Sequence, residues 1–231
     1  MSMHRRKLLK TSAGLAITAF IGGHPAAAST QGSCEPRDPL QNLMEGNHRF
    51  AKAWQEAARN ASTNLGRELQ NNRCFHAPQT LIDEQHPWAT LLTCADSRVS
   101  PSWIFDTTPG ELFVIRSAGS TAFDAAIASI EYSVSILKTP LVMVMGHSGC
   151  GAVSTAMGDG VLSPSLERLI TPIRSQIADS ADLEEAVRSN AQGTAAILRE
   201  NSNLLREAET NGAMTLVVSY FDLQTGEVTL I

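Results

Sequence analysis

Four short apolar runs with almost no polar alternation, at residues 88–92, 112–115, 141–145 and 214–218, constrain this chain's fold more than any other feature. A strand with one wet face alternates apolar and polar positions, whereas continuous runs suit strands covered on both faces, as in a parallel sheet. Between the second and third runs, Ile127, Ile130, Val134 and Leu137 recur at helical spacing and complete a strand–helix–strand unit. The fold expected is therefore α/β: a central, largely parallel β-sheet flanked by helices, preceded by an N-terminal helical arm.

That arm begins at Asp38-Pro39, an N-cap followed by a proline in the first turn, and runs through residues 40–59. Residues 61–72 are polar and read as loop. Thr171-Pro172 and the polar run 179–211 read as helical, stopping at Asn211-Gly212 before the last strands. A chain of 231 residues, 43% hydrophobic, suits one domain with one core. With only 5% aromatics, a net charge of -5 and no basic stripe, nucleic acid is excluded as an expected partner.

Residues 1–28 stand apart from this domain. Adjacent Arg5-Arg6 precede an apolar stretch, and Ala26-Ala27-Ala28 offers a small-residue cleavage site. This resembles a twin-arginine export signal, with His4 and Leu8 at positions usually Ser or Thr and Phe. The apolar stretch is short against the ~20 residues that span a bilayer. Cleavage near Ala28-Ser29 leaves a mature domain of residues 29–231 with a formal charge of -9, and the expected destination is the periplasm, or another exported location, by way of the twin-arginine machinery; the other reading of the stretch is an uncleaved N-terminal membrane anchor. In an oxidising compartment Cys34 and Cys74 either pair or remain two unpaired thiols.

The chemistry lies in two motifs. Cys94-Ala95-Asp96-Ser97-Arg98 is followed, 49 residues after Arg98, by His147-Ser148-Gly149-Cys150. Zinc favours thiolate and imidazole ligands in a tetrahedron, and a catalytic site keeps three protein ligands with the fourth position open. Cys94, His147 and Cys150 make three; water or Asp96 is left for the fourth. Arg98, two residues beyond Asp96, can grip its carboxylate bidentately and keep it ionised. Zinc lowers the pKa of bound water from about 15.7 toward ~7, so a nucleophile exists without a nucleophilic side chain. Cys94 and His147 are expected just past the carboxyl ends of strands, where open α/β sheets place ligands. Gly149 and Gly151 allow the turn into a helix beginning near Ala152.

In these residues the chain resembles the β-class carbonic anhydrases, whose hallmark is C-x-D-x-R followed by H-x-x-C. Residues 93–106, 109–119, 129–134 and 146–153 look like that family's blocks in its order, and 46–50 and 220–228 are similar to its opening and closing segments. The resemblance implies reversible hydration of carbon dioxide to bicarbonate, with one zinc per chain on Cys94, His147 and Cys150 and with Asp96 and Arg98 as the orienting dyad. It further implies that Gln85 and the Gly151 amide hold substrate, as in plant-type members, and that Phe113, Ala118 and Tyr132 line the pocket. Part of that pocket comes from a neighbouring subunit in such enzymes, so a homodimer or higher homo-oligomer is expected. Ser120 stands where the family usually has Asn, and Ala118 where it has Val; both substitutions widen the pocket. Another subtype carries Trp and Gly where this chain has Leu91 and Thr93, so no bicarbonate switch is expected.

Other readings use the same residues. A relative in the fold family acts on carbonyl sulfide or carbon disulfide. A non-catalytic zinc-binding protein needs only the ligands, with Asp96 closing the tetrahedron, but has no use for Arg98. A hydrolase elbow, G-x-S-x-G, would need Gly at 150, and a Cys150–His147 nucleophile pair leaves Cys94 and Asp96 without a task. No shuttle histidine is evident, so proton export is expected to depend on buffer.

Overall fold

A computed structural model describes residues 35–69, 76 and 78–231. The export signal and Cys34 and Cys74 lie outside the described residues. Helix α1, Pro39–Arg59, starts where expected, with the Asp38 carboxylate accepting from the Gln41 amide at 2.9 Å. Two short helices follow, α2 at Leu65–Glu68 and α3 at Pro78–Asp83. Helix α2 corrects the reading of residues 61–72 as loop throughout: Asn64 caps it by accepting from Arg67 N at 3.1 Å, a local signal in a polar stretch.

The sheet has five strands among the described residues, β1 Ala89–Cys94, β2 Leu112–Ser117, β3 Leu141–His147, β4 Thr215–Phe221 and β5 Val228–Leu230, in the order β2-β1-β3-β4-β5. The first four are parallel to their neighbours and β5 is antiparallel to β4. Helix α4, Pro101–Ile104, lies between β1 and β2. Helix α5, Asp124–Ser135, carries the chain from edge strand β2 past β1 to β3. Between β3 and β4 come α6 Gly151–Ala156, α7 Pro164–Ile177, α8 Leu183–Asn201 and α9 Asn203–Thr210. The run 179–211 is thus two helices, because Ser202 ends α8 and caps α9 by accepting from Leu205 N at 3.1 Å.

Alternation along the strands gives each face of the sheet its own core. Leu91, Met143, Met145 and Phe221 pack with Leu43 and Phe50 of α1. Leu92, Val142, Val144 and Leu216 pack with Ile130 of α5 and with Ala191, Ala195 and Leu198 of α8. Strands β1 and β3 are buried throughout, as their unbroken apolar runs require. Strand β2 departs from that reading. It is the sheet's edge, and Val114, 37% exposed, faces solvent despite its apolar run. No helix among the described residues is long and apolar enough to cross a membrane.

Candidate metal centre

Cys94 is the last residue of β1 and His147 the last of β3, one position earlier than the sequence suggested. The parallel pairing of those two strands brings both side chains to the same end of the sheet. Cys150 follows across a short turn in which Gly149 takes φ 63°, a left-handed conformation that glycine adopts without strain. Cys150 then caps α6, which opens at Gly151. All three ligand atoms are buried and lie within 4.8 Å of one another.

The geometry fits a tetrahedral cation. The Cys94 and Cys150 sulfurs stand 3.9 Å apart, and two sulfurs bound at ~2.3 Å to a tetrahedral zinc are about 3.8 Å apart. His147 Nδ1 lies 3.0 Å from the Ser148 carbonyl, which holds the ring proton there and leaves the lone pair on Nε2. That Nε2 is buried and has no hydrogen-bond partner among the described residues. A buried unpaired acceptor is costly, and a cation between the two sulfurs would satisfy it. The Cys94 sulfur also accepts backbone amides from Asp96 at 3.4 Å and Gly119 at 3.3 Å. The Cys94 thiol is drawn down, first by the hydrogen bond from Cys150 and with help from those amides, against the effect of burial. Cys150 is pushed up because it keeps the shared proton and is buried. Cys94 and Cys150 would both hold a dication as thiolates, with loss of that shared proton.

Beside the ligands, Asp96 is held as the motif suggests. Arg98 donates from Nε to Oδ1 at 2.9 Å and from Nη2 to Oδ2 at 2.8 Å, and its amide donates to Oδ1 at 2.9 Å. The same guanidinium reaches the Gly149 carbonyl at 3.1 Å, tying the two motif loops together. These bonds hold the Asp96 carboxyl well below the usual carboxylate range. Its Oδ2 remains 3.9 Å from His147 Nε2, close to the ligands.

The sequence reading missed Arg116. From β2 it donates to the carbonyls of Cys94 at 3.1 Å, Asp96 at 2.7 Å and Val99 at 2.9 Å, clamping the loop that carries the dyad. The only clue in the sequence was a charged residue ending an apolar run.

The expected pocket residues separate into two groups. Gly151 opens α6, so its amide is among those with no intrahelical acceptor. Ala118 lines a surface groove of about 440 Å³ with Arg116, Phe123 and Leu169 at the same end of the sheet. Buried Ser120 donates to the Met145 carbonyl at 2.9 Å, so its hydroxyl is engaged in the fold. Phe113, by contrast, pairs with Thr90, four residues before Cys94 and so about 13 Å along the strand at ~3.3 Å per residue. Its ring lies 6.2 Å from that of Tyr132, and Tyr132 shares a second recess, of about 520 Å³, with Gln85. A single chain therefore does not bring Gln85, Phe113 and Tyr132 to the cysteines.

A largely parallel α/β sheet thus carries a buried Cys-His-Cys set able to hold a metal ion at the carboxyl ends of adjacent strands, with an arginine-held aspartate beside it. Residues 89–228 match the family described as carbonic anhydrase. The chain is 32% identical over 197 residues to carbonic anhydrase 2 of Mycobacterium tuberculosis, covering 81% of this chain and 89% of that one. It is 30% identical over 198 residues to a carbonic anhydrase of Mycolicibacterium smegmatis, with the same coverage. Its fold is similar to a tetrameric β-carbonic anhydrase of Sordaria macrospora, with a TM-score of 0.61 at 22% identity, covering 83% of this chain and 96% of that one. The chain belongs to the β-class carbonic anhydrase family.

Proposed function

We propose that this chain is a zinc-dependent carbonic anhydrase that interconverts carbon dioxide and bicarbonate, with one zinc per chain on Cys94, His147 and Cys150. The observation that carries the reading is the unpaired His147 Nε2 facing two buried sulfurs, with Asp96 kept ionised beside it by Arg98. Zinc when bound there supplies a Lewis acid that brings the pKa of water toward ~7. Asp96 accepts the hydrogen of the attacking water and so turns the oxygen lone pair toward carbon dioxide. Arg98 keeps Asp96 from becoming a fourth ligand. The Gly151 amide steadies an oxygen of the product. Gln85, Phe113 and Tyr132 of a second copy complete the pocket opposite Ala118, a reading supported by their separation from the ligands within one chain. The active form is then a homodimer or larger homo-oligomer of the plant-type subtype, without a bicarbonate switch at Leu91 and Thr93, and the reaction's proton leaves to buffer.

Export as residues 29–231 through the twin-arginine machinery is part of this reading, resting on Arg5-Arg6 and Ala26-Ala27-Ala28. Replacing both arginines with lysine should leave the protein in the cytoplasm in a fractionation assay.

Stopped-flow carbon dioxide hydration on zinc-quantified protein tests the function. Wild type should be fast, and Asp96→Asn should lose about 10²-fold or more in kcat/KM while keeping its zinc. Zinc-loaded wild type without hydration activity overturns the substrate and makes carbonyl sulfide the next one tried.

A further inference from the structure

Helix α8 reaches the ligand Cys94 through two consecutive hydrogen bonds. The Gly119 amide donates to Cys94 Sγ at 3.3 Å, and the Gly119 carbonyl accepts from Asn190 Nδ2 at 2.7 Å. Those two groups belong to adjacent peptide planes joined at the Gly119 Cα; the Thr121 hydroxyl donates to the Ala118 carbonyl of the first plane at 2.6 Å, and fixing the second plane restrains the soft glycine dihedrals between them. On the other side of the same turn, Ser120 Oγ donates to the Met145 carbonyl at 2.9 Å. The turn is thus pinned to β3 by Ser120 and to α8 by Asn190.

Asn190 is only 2% exposed, and its Oδ1 has no partner among the described residues. A buried amide with an unfilled acceptor is a net cost to the fold. Packing alone would be served by an apolar side chain, which leaves nothing unsatisfied. The donated bond to Gly119 is what distinguishes asparagine here.

We propose that Asn190 is a positioning residue of the metal centre: by holding the Gly119 carbonyl it aims the Gly119 amide at the Cys94 sulfur and sets how much charge that thiolate gives the metal. This rests on Cys94 being a zinc ligand. A hydrogen bond to a thiolate withdraws electron density, leaving the cation a stronger Lewis acid, and partners of this kind tune metal sites from outside the ligand set. Removing the bond makes the sulfur the better donor and the metal the weaker acid.

The test uses the cobalt(II)-substituted full-length protein and its zinc form, as wild type, Asn190→Leu and Asn190→Ala. Leucine keeps the branched shape and removes the donor at the cost of added bulk; alanine removes the same bond without that bulk. The sulfur-to-cobalt charge-transfer band should move to longer wavelength in the variants. The acid limb of the kcat/KM profile should move to higher pH, and kcat/KM at neutral pH should fall about tenfold. A lower melting temperature alone does not produce this pattern. Band and acid limb superimposable on wild type overturn the proposal, whatever happens to stability. A wild type with no sulfur-to-cobalt band at all overturns the zinc reading itself, and this inference with it, so the two failures are distinguishable.

Discussion

The carboxyl ends of β1 and β3 and the exposed edge at β2 are built on opposite terms. At the first, three residues able to hold a metal ion come from one chain, buried and prearranged: two sulfurs 3.9 Å apart, an imidazole Nε2 without a partner among the described residues, and amides already aimed at Cys94. At the second, apolar side chains are left facing solvent, with Val114 of β2 37% exposed and, on α5 and at its C-terminus, Tyr132 44% and Ile136 63% exposed. The edge also carries Phe113 and lies beside Gln85, the residues expected to hold substrate. On the function proposed above, a chain organised this way would bind its metal alone and need a neighbour for its substrate. Metal binding and turnover should therefore be separable by mutation.

The largest effect should come from the metal end. Cys94→Ser removes a thiolate that anchors the centre, and the expected outcome is loss of bound zinc and of carbon dioxide hydration together, measured by metal analysis and stopped flow. At the edge, Val114→Lys places a charge on the exposed strand and should give a species of monomer mass by sedimentation. That monomer should still hold one zinc and should turn over at least about tenfold more slowly, since positioning groups are lost while the metal chemistry is retained. A fully active zinc-loaded monomer would erase the contrast between the two regions.

How far each region could be read in the sequence follows from the range of its interactions. Strands β1 and β3 were visible because both of their faces are buried, and the ligands because the motif sits at the strand ends. The Asp96–Arg98 fork spans two residues and was equally plain. Strand β2 misled because apolar sequence records that a surface is covered without recording what covers it. The clamp from Arg116 to the Asp96 carbonyl crosses 20 residues and the bond from Asn190 to Gly119 crosses 71, and nothing local marks either one. The cap at Ser202 is local, but its hydroxyl also donates to Glu131, 71 residues away, and that contact with α5 is not legible from the residues around it.

The smallest expected effect tests whether the metal end is sealed off from the rest of α8. Arg199, nine residues beyond Asn190 on that helix, donates to both carboxylate oxygens of Glu209 on α9 at 2.8 Å. The Arg199 guanidinium, through those hydrogen bonds, holds the Glu209 carboxyl below its ordinary value of 4.5. A carboxyl with a lowered folded-state pKa stabilises the fold fully above its unfolded value and loses that contribution as pH falls through the folded one. With side chains 40% and 31% exposed, the pair is discounted for solvent to about 0.5 kcal/mol. Glu209→Gln should accordingly lower the melting temperature by about 1–2 °C at neutral pH, and the gap from wild type should close as the pH drops below 4.5. The pair lies about 13 Å along the helix from Asn190, beyond the range over which mutational effects normally couple. The same small gap is therefore expected with zinc bound and after zinc removal. A gap that widened on chelation would mean that α8 transmits strain between its packing with α9 and the metal centre, and the separation between a self-sufficient metal site and its surroundings would have to be abandoned.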